Sequence, residues 1–176
     1  MKKESTTVRS KQDIVQTIDN YADTVKRLCM VRIANSADTE DIFQTVFLKY
    51  AVSTISFESE EHRKAWLIRV TLNACKDLTK SRLRKRLVPL DEVDNLSSSA
   101  TAEQHGMLDA EQRETLEAVL SLPQKYRDVV YLHYYEGYTA PEISQLIGKK
   151  TNTVYTLLTR SKKLLRKQLE GDGREA

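Results

Sequence analysis

Apolar residues in the first third of the chain return at helical intervals. Ile14, Ile18, Tyr21, Val25 and Leu28 are separated by alternating steps of four and three, which lines one side of an amphipathic helix. A second helix is predicted from Asp38, a capping residue followed by Glu40 and Asp41 in the positive first turn. Its apolar face is Ile42, Phe43, Val46, Phe47 and Tyr50. A third is predicted from Glu60 to about Arg86, with Ala65, Ile68, Leu72 and Cys75 on one side and Trp66, Leu67 and Val70 widening that face. There the periodicity stops. Val88-Pro89-Leu90-Asp91-Glu92-Val93-Asp94-Asn95-Leu96-Ser97-Ser98-Ser99-Ala100-Thr101 joins a proline, acidic residues and a serine run, as a linker does.

Helical signals resume with Leu116, Val119, Leu120 and Leu122, which lead into Pro123 at the first turn of a helix over about residues 124–136 that stops at Gly137. Thr139 and Glu142 have capping-box spacing with Pro141 in the first turn, and this short helix closes at Gly148. After Lys149 and Lys150 a longer helix is predicted from about Thr151 to Leu169. Short helix, glycine turn and longer helix form a helix-turn-helix. The expected class is all-α: two small helical domains, residues 11–86 and 111–170, joined by a flexible acidic linker over 87–110, the C-terminal domain being the helix-turn-helix.

Composition agrees with a helical chain, since 176 residues include only five Gly and three Pro. The net charge of +3 is unevenly spread. Residues 1–86 hold 17 basic and 11 acidic side chains, residues 87–112 hold 6 acidic and no basic ones, and residues 113–176 hold 11 basic and 8 acidic. Two basic lobes flank an acidic connector, which points to polyanion partners for the lobes and to a connector that is repelled from duplex DNA or mimics nucleic acid in a basic channel. No apolar run approaches the roughly 20 residues that span a bilayer, and Met1-Lys2-Lys3-Glu4-Ser5 lacks an apolar stretch behind its positive start. A cytoplasmic protein without membrane insertion is expected.

Cys29 and Cys75 lie far apart with no CxxC, and His62, His105 and His133 are scattered. The cysteines read as buried, inert thiols; no metal site or cofactor is expected. Without a P-loop, a GxSxG or a paired acid, the chain is not expected to be an enzyme.

The last helix carries the sharpest candidate chemistry. Val154, Leu158, Ser161 and Leu165, flanked by Leu157 and Leu164, are expected to face inward. Thr151, Asn152, Tyr155, Thr156, Thr159, Arg160 and Lys163 are left to meet DNA. Amides, hydroxyls and cations at the start of such a helix can bond base edges and phosphates in a major groove.

Three segments in register resemble the sigma-70 family of RNA polymerase sigma factors, in its extracytoplasmic-function (ECF) subfamily. Asp38-Thr39-Glu40-Asp41-Ile42-Phe43-Gln44-Thr45-Val46-Phe47-Leu48 is similar to the segment that docks on the polymerase clamp. Lys64-Ala65-Trp66-Leu67-Ile68-Arg69-Val70-Thr71-Leu72-Asn73, with the basic run that follows, resembles the part that engages the minus-ten element. Leu122-Pro123 through Gln168 resembles the domain that reads the minus-thirty-five element.

The resemblance implies a promoter-specificity subunit. Its partners would be core RNA polymerase, through the clamp and flap regions, promoter DNA, and an anti-sigma factor. Glu40, Asp41, Gln44 and Phe47 become the polymerase-docking residues. Melting requires a site that favours single-stranded bases over paired ones. The implied platform is the loop of residues 57–62, with Phe57 and His62 at its ends, and Arg63, Lys64, Asn73 and Lys76 nearby. Asn73 matches a recurring Asn of the family, and Trp66 is open between stacking on bases and core packing. Lys80, Arg82 and Arg84, within a run of five cations in seven residues, would hold phosphates. The acidic linker either substitutes for nucleic acid in the polymerase channel or is a tether. Thr45 stands where the family commonly has Glu, and Asn152, Tyr155 and Leu157 replace its frequent Gly, Lys and Arg. The rival reading is a stand-alone helix-turn-helix regulator, which leaves the N-terminal Trp and Asn motif unexplained.

Overall fold

In the computed structural model, which describes residues 9–33, 35–86 and 110–172, the apolar stripes become helices α1 (Lys11–Ile33), α2 (Ser36–Val52) and α3 (Glu60–Arg86). Beyond the expected linker follow α4 (Ala110–Leu120), α5 (Gln124–Val130), α6 (Ala140–Ile147) and α7 (Thr151–Asp172). The described residues contain no strand. The class is therefore all-α, with an N-terminal three-helix unit and a C-terminal unit ending in a helix-turn-helix. The linker, read at 87–110, lies outside the described residues except for Ala110, which opens α4.

Local chemistry explains most of the boundaries. Helix α2 begins earlier than expected because Asn35 is its N-cap: the Asn35 side chain accepts from the Asp38 backbone N–H at 3.1 Å. Asp38 consequently sits inside the first turn, its carboxylate bound by Arg82 of α3, and Glu40 and Asp41 fall in the second turn. Pro123 precedes α5 as its N-cap, with extended ψ 145, rather than joining the first turn. The helix expected over 124–136 does run that far, but residues Tyr131–Tyr135 widen into a π turn. There the Glu136 N–H donates to the Tyr131 carbonyl at 3.2 Å. The Tyr131 hydroxyl donates to Glu136 at 2.7 Å, and burial, with Glu136 beside it, pushes the phenol's pKa up.

The helix-turn-helix forms as its sequence directs. Glu142 accepts from the Thr139 backbone N–H at 2.7 Å, completing the capping box. Gly148 then ends α6 with φ +68, a left-handed conformation that costs glycine little. Together they set the turn that aims α7.

Two clusters form the interior. Val25, Cys29, Ile42, Val46, Phe47, Tyr50, Leu67 and Cys75 fill the N-terminal unit. Leu28 and Val31 of α1, with Ile68 and Leu72 of α3, join instead a cluster with Leu116, Leu122, Val129, Leu132, Ile143 and Val154 of the C-terminal unit. Each such buried aliphatic side chain contributes about 1.5–3 kcal/mol relative to exposure. The two units thus share one core.

Polar bonds close the same seam. Arg32 of α1 donates from Nε to Asp128 of α5 at 2.8 Å, from Nη2 to its second oxygen, and from Nη1 to the Leu72 carbonyl at 3.0 Å. Burial would lower the Arg32 pKa, but the Asp128 carboxylate more than offsets it and the net direction is upward. Lys64 of α3 pairs with Glu136 at 2.8 Å, its ammonium 5.7 Å from the Tyr138 ring centroid.

Candidate nucleic-acid interface

A straight α-helix turns about 100° per residue, and on α3 that geometry sorts the candidate minus-ten residues into two groups. His62, Arg69, Asn73, Lys76, Lys80 and Arg84 fall within about 80° of one another, and all are exposed. Half-buried Trp66 borders them. Lys64 and Arg82 each stand nine positions from Asn73, about half a turn away around the axis. Accordingly Lys64 reaches the C-terminal unit through Glu136 and Arg82 reaches α2 through Asp38. Neither shares the face of the exposed stripe, so both stand apart from the other minus-ten candidates of α3. Arg69, by contrast, lies on it and was not among the candidates, although it precedes Asn73 by one turn.

Residues 53–59 lead from α2 into this stripe as a connection that is neither helix nor strand. Phe57 packs there against Tyr50, with ring centroids 5.9 Å apart, and meets Trp66 and His62 edge-on at 5.7 and 5.3 Å. Trp66 also meets Tyr50 edge-on at 6.1 Å and borders the N-terminal core. In this arrangement Trp66 packs. Two guanidiniums flank the rings: Arg9 lies 4.8 Å and Arg63 5.8 Å from the Phe57 centroid. Arg63 is also paired with Glu60 at 3.1 Å and Asp13 at 3.7 Å.

The exposed face of α7 matches expectation more closely. Asn152, Tyr155, Thr156, Thr159, Arg160 and Lys163 are all exposed, Tyr155 by 55%, and Thr151 is half-buried. Thr156 and Thr159 donate their hydroxyls to the carbonyls of Asn152 and Tyr155 at 3.0 and 2.9 Å, which leaves each oxygen free to accept. Val154, Leu157 and Ser161 are buried, whereas Leu164, expected to flank the inward face, is exposed. Lys149 and Lys150 add exposed cations just ahead of the helix.

On α2, Glu40, Asp41 and Gln44 are exposed as a docking face requires. Phe47 is not: it is 5% exposed, its ring 4.8 Å from Phe43 in the core. The apolar residue that α2 does present beside the carboxylates is Leu48, 66% exposed, with Val52 one turn further. Thr45 donates to the Asp41 carbonyl at 2.8 Å.

The sequence pattern described as Sigma-70 region 2 matches residues 17–86, and that of Sigma-70, region 4 matches 112–165. The chain belongs to the sigma-70 family, in its ECF subfamily. A Bacillus subtilis ECF RNA polymerase sigma factor, SigW, is 29% identical over 165 residues, covering 86% of each chain. SigV of the same organism is also 29% identical, over 96% of each. Among solved structures, RpoE of Bartonella quintana, in complex with the anti-sigma factor NepR, superposes with TM-score 0.71 at 21% identity over 90% of this chain and 98% of the other. CnrH, in complex with the cytosolic domain of CnrY, gives 0.63 at 19% over 93% and 91%. As a sigma factor the chain is a promoter-specificity subunit of RNA polymerase. Sigma factors are initiation factors without a reaction of their own, and among the described residues no helix is long and apolar enough to cross a membrane.

Proposed function

We propose that the three exposed faces divide promoter recognition among them. The stripe of α3, from His62 through Arg69, Asn73, Lys76 and Lys80 to Arg84, holds the minus-ten strand. Residues 53–59 with the adjacent ring cluster take an unstacked base. The face of α7 from Asn152 to Lys163 reads the minus-thirty-five duplex, and Glu40, Asp41, Gln44 and Leu48 dock on the polymerase clamp, with the C-terminal unit on the flap. The observation that carries this reading is the α3 stripe, where cations and one amide share a face beside an aromatic cluster. Cations hold phosphates at any sequence, and aromatic surfaces favour unpaired bases, so duplex opening is stabilised.

This reading requires the two units to part. The two elements lie about 25 base pairs apart, roughly 85 Å at 3.4 Å per pair, whereas a folded chain of this length is only about 40 Å across. The 23 residues between the described units can reach about 80 Å at full extension. An anti-sigma factor that keeps the units together would hold the protein inactive. The complexes of RpoE with NepR and of CnrH with CnrY support such a partner here. A cytoplasmic site of action follows from work on polymerase.

Run-off transcription with core polymerase on genomic fragments tests the function. Specific transcripts should appear only when the protein is present, and Asn73→Ala should reduce open complexes while leaving binding to an isolated upstream element intact. Duplex binding without any polymerase association would favour the stand-alone regulator instead.

A further inference from the structure

The candidate base-binding loop is fastened by a side chain that precedes both matched family regions. Arg9 lies ahead of α1 and ahead of the region 2 match, which begins at residue 17. Its side chain is 13% exposed and 3.5 Å from the Asp13 carboxylate. Nε donates to the Tyr50 carbonyl at 3.0 Å, in the last turn of α2, an acceptor it shares with the Ser53 N–H at 3.1 Å. Nη2 donates to the carbonyl of Ile55 within the loop. The guanidinium carbon lies 4.3 Å from the Tyr50 ring centroid and 4.8 Å from that of Phe57. One group thereby ties together the end of α2, the middle of the loop and the aromatic ring that backs it. The loop's own hydrogen bonds are local ones, such as Ile55 N–H to Ser53 Oγ at 3.2 Å.

We propose that Arg9 is a positioning residue for minus-ten recognition, which fixes the Ile55 carbonyl and the Phe57 ring so that the loop is shaped before a base enters. The proposal rests on the reading of residues 53–59 as the base-binding loop. A site organised in advance loses less ordering entropy on binding and tolerates fewer alternative ligands. Arginine suits the task because its planar fork can donate to two carbonyls while stacking on a ring; lysine keeps the charge but cannot do all three. Arg9 touches no nucleic acid in this scheme and acts only through the loop.

The test uses holoenzyme assembled from core polymerase and the full chain. Promoter fragments carry a constant upstream element selected with the unaltered protein and a randomised downstream segment, and heparin-resistant complexes are sequenced. Arg9→Lys should lower the enrichment of the preferred base at one downstream position about tenfold, within the range of a single mismatched pair. Its melting temperature should fall by only the few degrees that one or two lost hydrogen bonds cost, and its binding to fragments with the upstream element alone should stay unchanged. The loop-surface variants Ser56→Ala and Glu58→Ala, made in parallel, should alter the preference at the same position. If they do and Arg9→Lys does not, the role of Arg9 is overturned while the loop stands. If neither changes the profile, the loop reading itself fails. A uniform loss across all fragments with Arg9→Lys, or a changed profile with that variant alone, also overturns the proposal, because the effect would not pass through the loop.

Discussion

Replacing Asp128 by Asn removes one charge from the seam between the two helical units while keeping the side chain's size. In the folded protein Arg32 holds both Asp128 oxygens, one of them at 2.8 Å, and the two side chains are 19% and 10% exposed. Removing one partner of a buried ion pair typically costs about 3–5 kcal/mol, because the remaining charge is left without compensation. Here Arg32 keeps its bond to the Leu72 carbonyl at 3.0 Å, and Asn can still accept one hydrogen bond. The expected cost is therefore about 2–3 kcal/mol, roughly 30- to 150-fold in the equilibrium between closed and open units. Dyes on cysteines introduced at Gln16 and Lys162, both exposed, report the separation of the units by energy transfer. The open fraction should rise in Asp128→Asn. Apparent affinity for core polymerase should rise with it, since a binding-competent state present at a small fraction weakens apparent affinity by that fraction. A cycle of Arg32→Met, Asp128→Leu and the double variant isolates the pair in denaturant titrations. An unchanged dye separation in Asp128→Asn, or a coupling below about 0.5 kcal/mol, would refute the argument that this pair holds the units closed.

Four further outcomes are expected. Arg160→Ala and Lys163→Ala should each weaken binding to the upstream element and reduce the slope of log affinity against log salt by about 1, measured by anisotropy across a salt series; a slope that stays put would take these residues off the phosphates. Asp41→Ala and Leu48→Ala should weaken polymerase binding, Leu48→Ala by about 1–2 kcal/mol if it fills a pocket, without changing DNA preference in a selection assay. Glu142 has its pKa lowered by hydrogen bonds from the Thr139 backbone and hydroxyl, so its stabilisation is present above the ordinary carboxylate value and is lost as pH falls through the lowered one. The melting-temperature gap between the unaltered protein and Glu142→Gln should accordingly close in acid, and a gap constant with pH would contradict the capping role. Cys29, whose pKa is raised by its hydrogen bond with Cys75 and by burial, should resist alkylation in the folded protein and react once guanidinium unfolds it, as mass spectrometry can show.

Where a residue's role depends on its near neighbours in sequence, it was legible from sequence. Glu60 to Arg86 is the extent of α3 both by periodicity and in three dimensions, and Thr139, Glu142 and Gly148 set the turn of the helix-turn-helix as their spacing indicated. Asn35 and Asp38 are both capping residues; Asn35 takes the cap and Asp38, inside the first turn, pairs instead with Arg82, far along the chain. The π turn at Tyr131–Tyr135 has no comparable sequence signal. Lys64 entered the candidate site as a neighbour of the loop and Arg82 as part of the basic run, and the helical wheel, applied to polar residues as strictly as to apolar ones, sets both apart from Asn73 and admits Arg69.

The shared core is a harder case, because an apolar stripe shows that a helix face is buried but not against what. The width of the stripe on α3 is nevertheless informative. Leu67 and Cys75 pack into the N-terminal cluster while Ile68 and Leu72 turn toward the C-terminal one, so the widened face noted in the sequence serves two partners. A face broader than one neighbouring helix pair can cover leaves apolar area in water unless another unit meets it. On α1 the same excess appears as Leu28 and Val31, and Arg32 beside them finds its carboxylate only on α5. In the proposed opening to bridge two promoter elements, these residues need a new cover, which polymerase surfaces can supply. Covered in both states, the apolar excess would no longer oppose opening on polymerase, which would then be decided by whatever polymerase contacts exceed it, with the Arg32–Asp128 pair setting how readily the exchange begins.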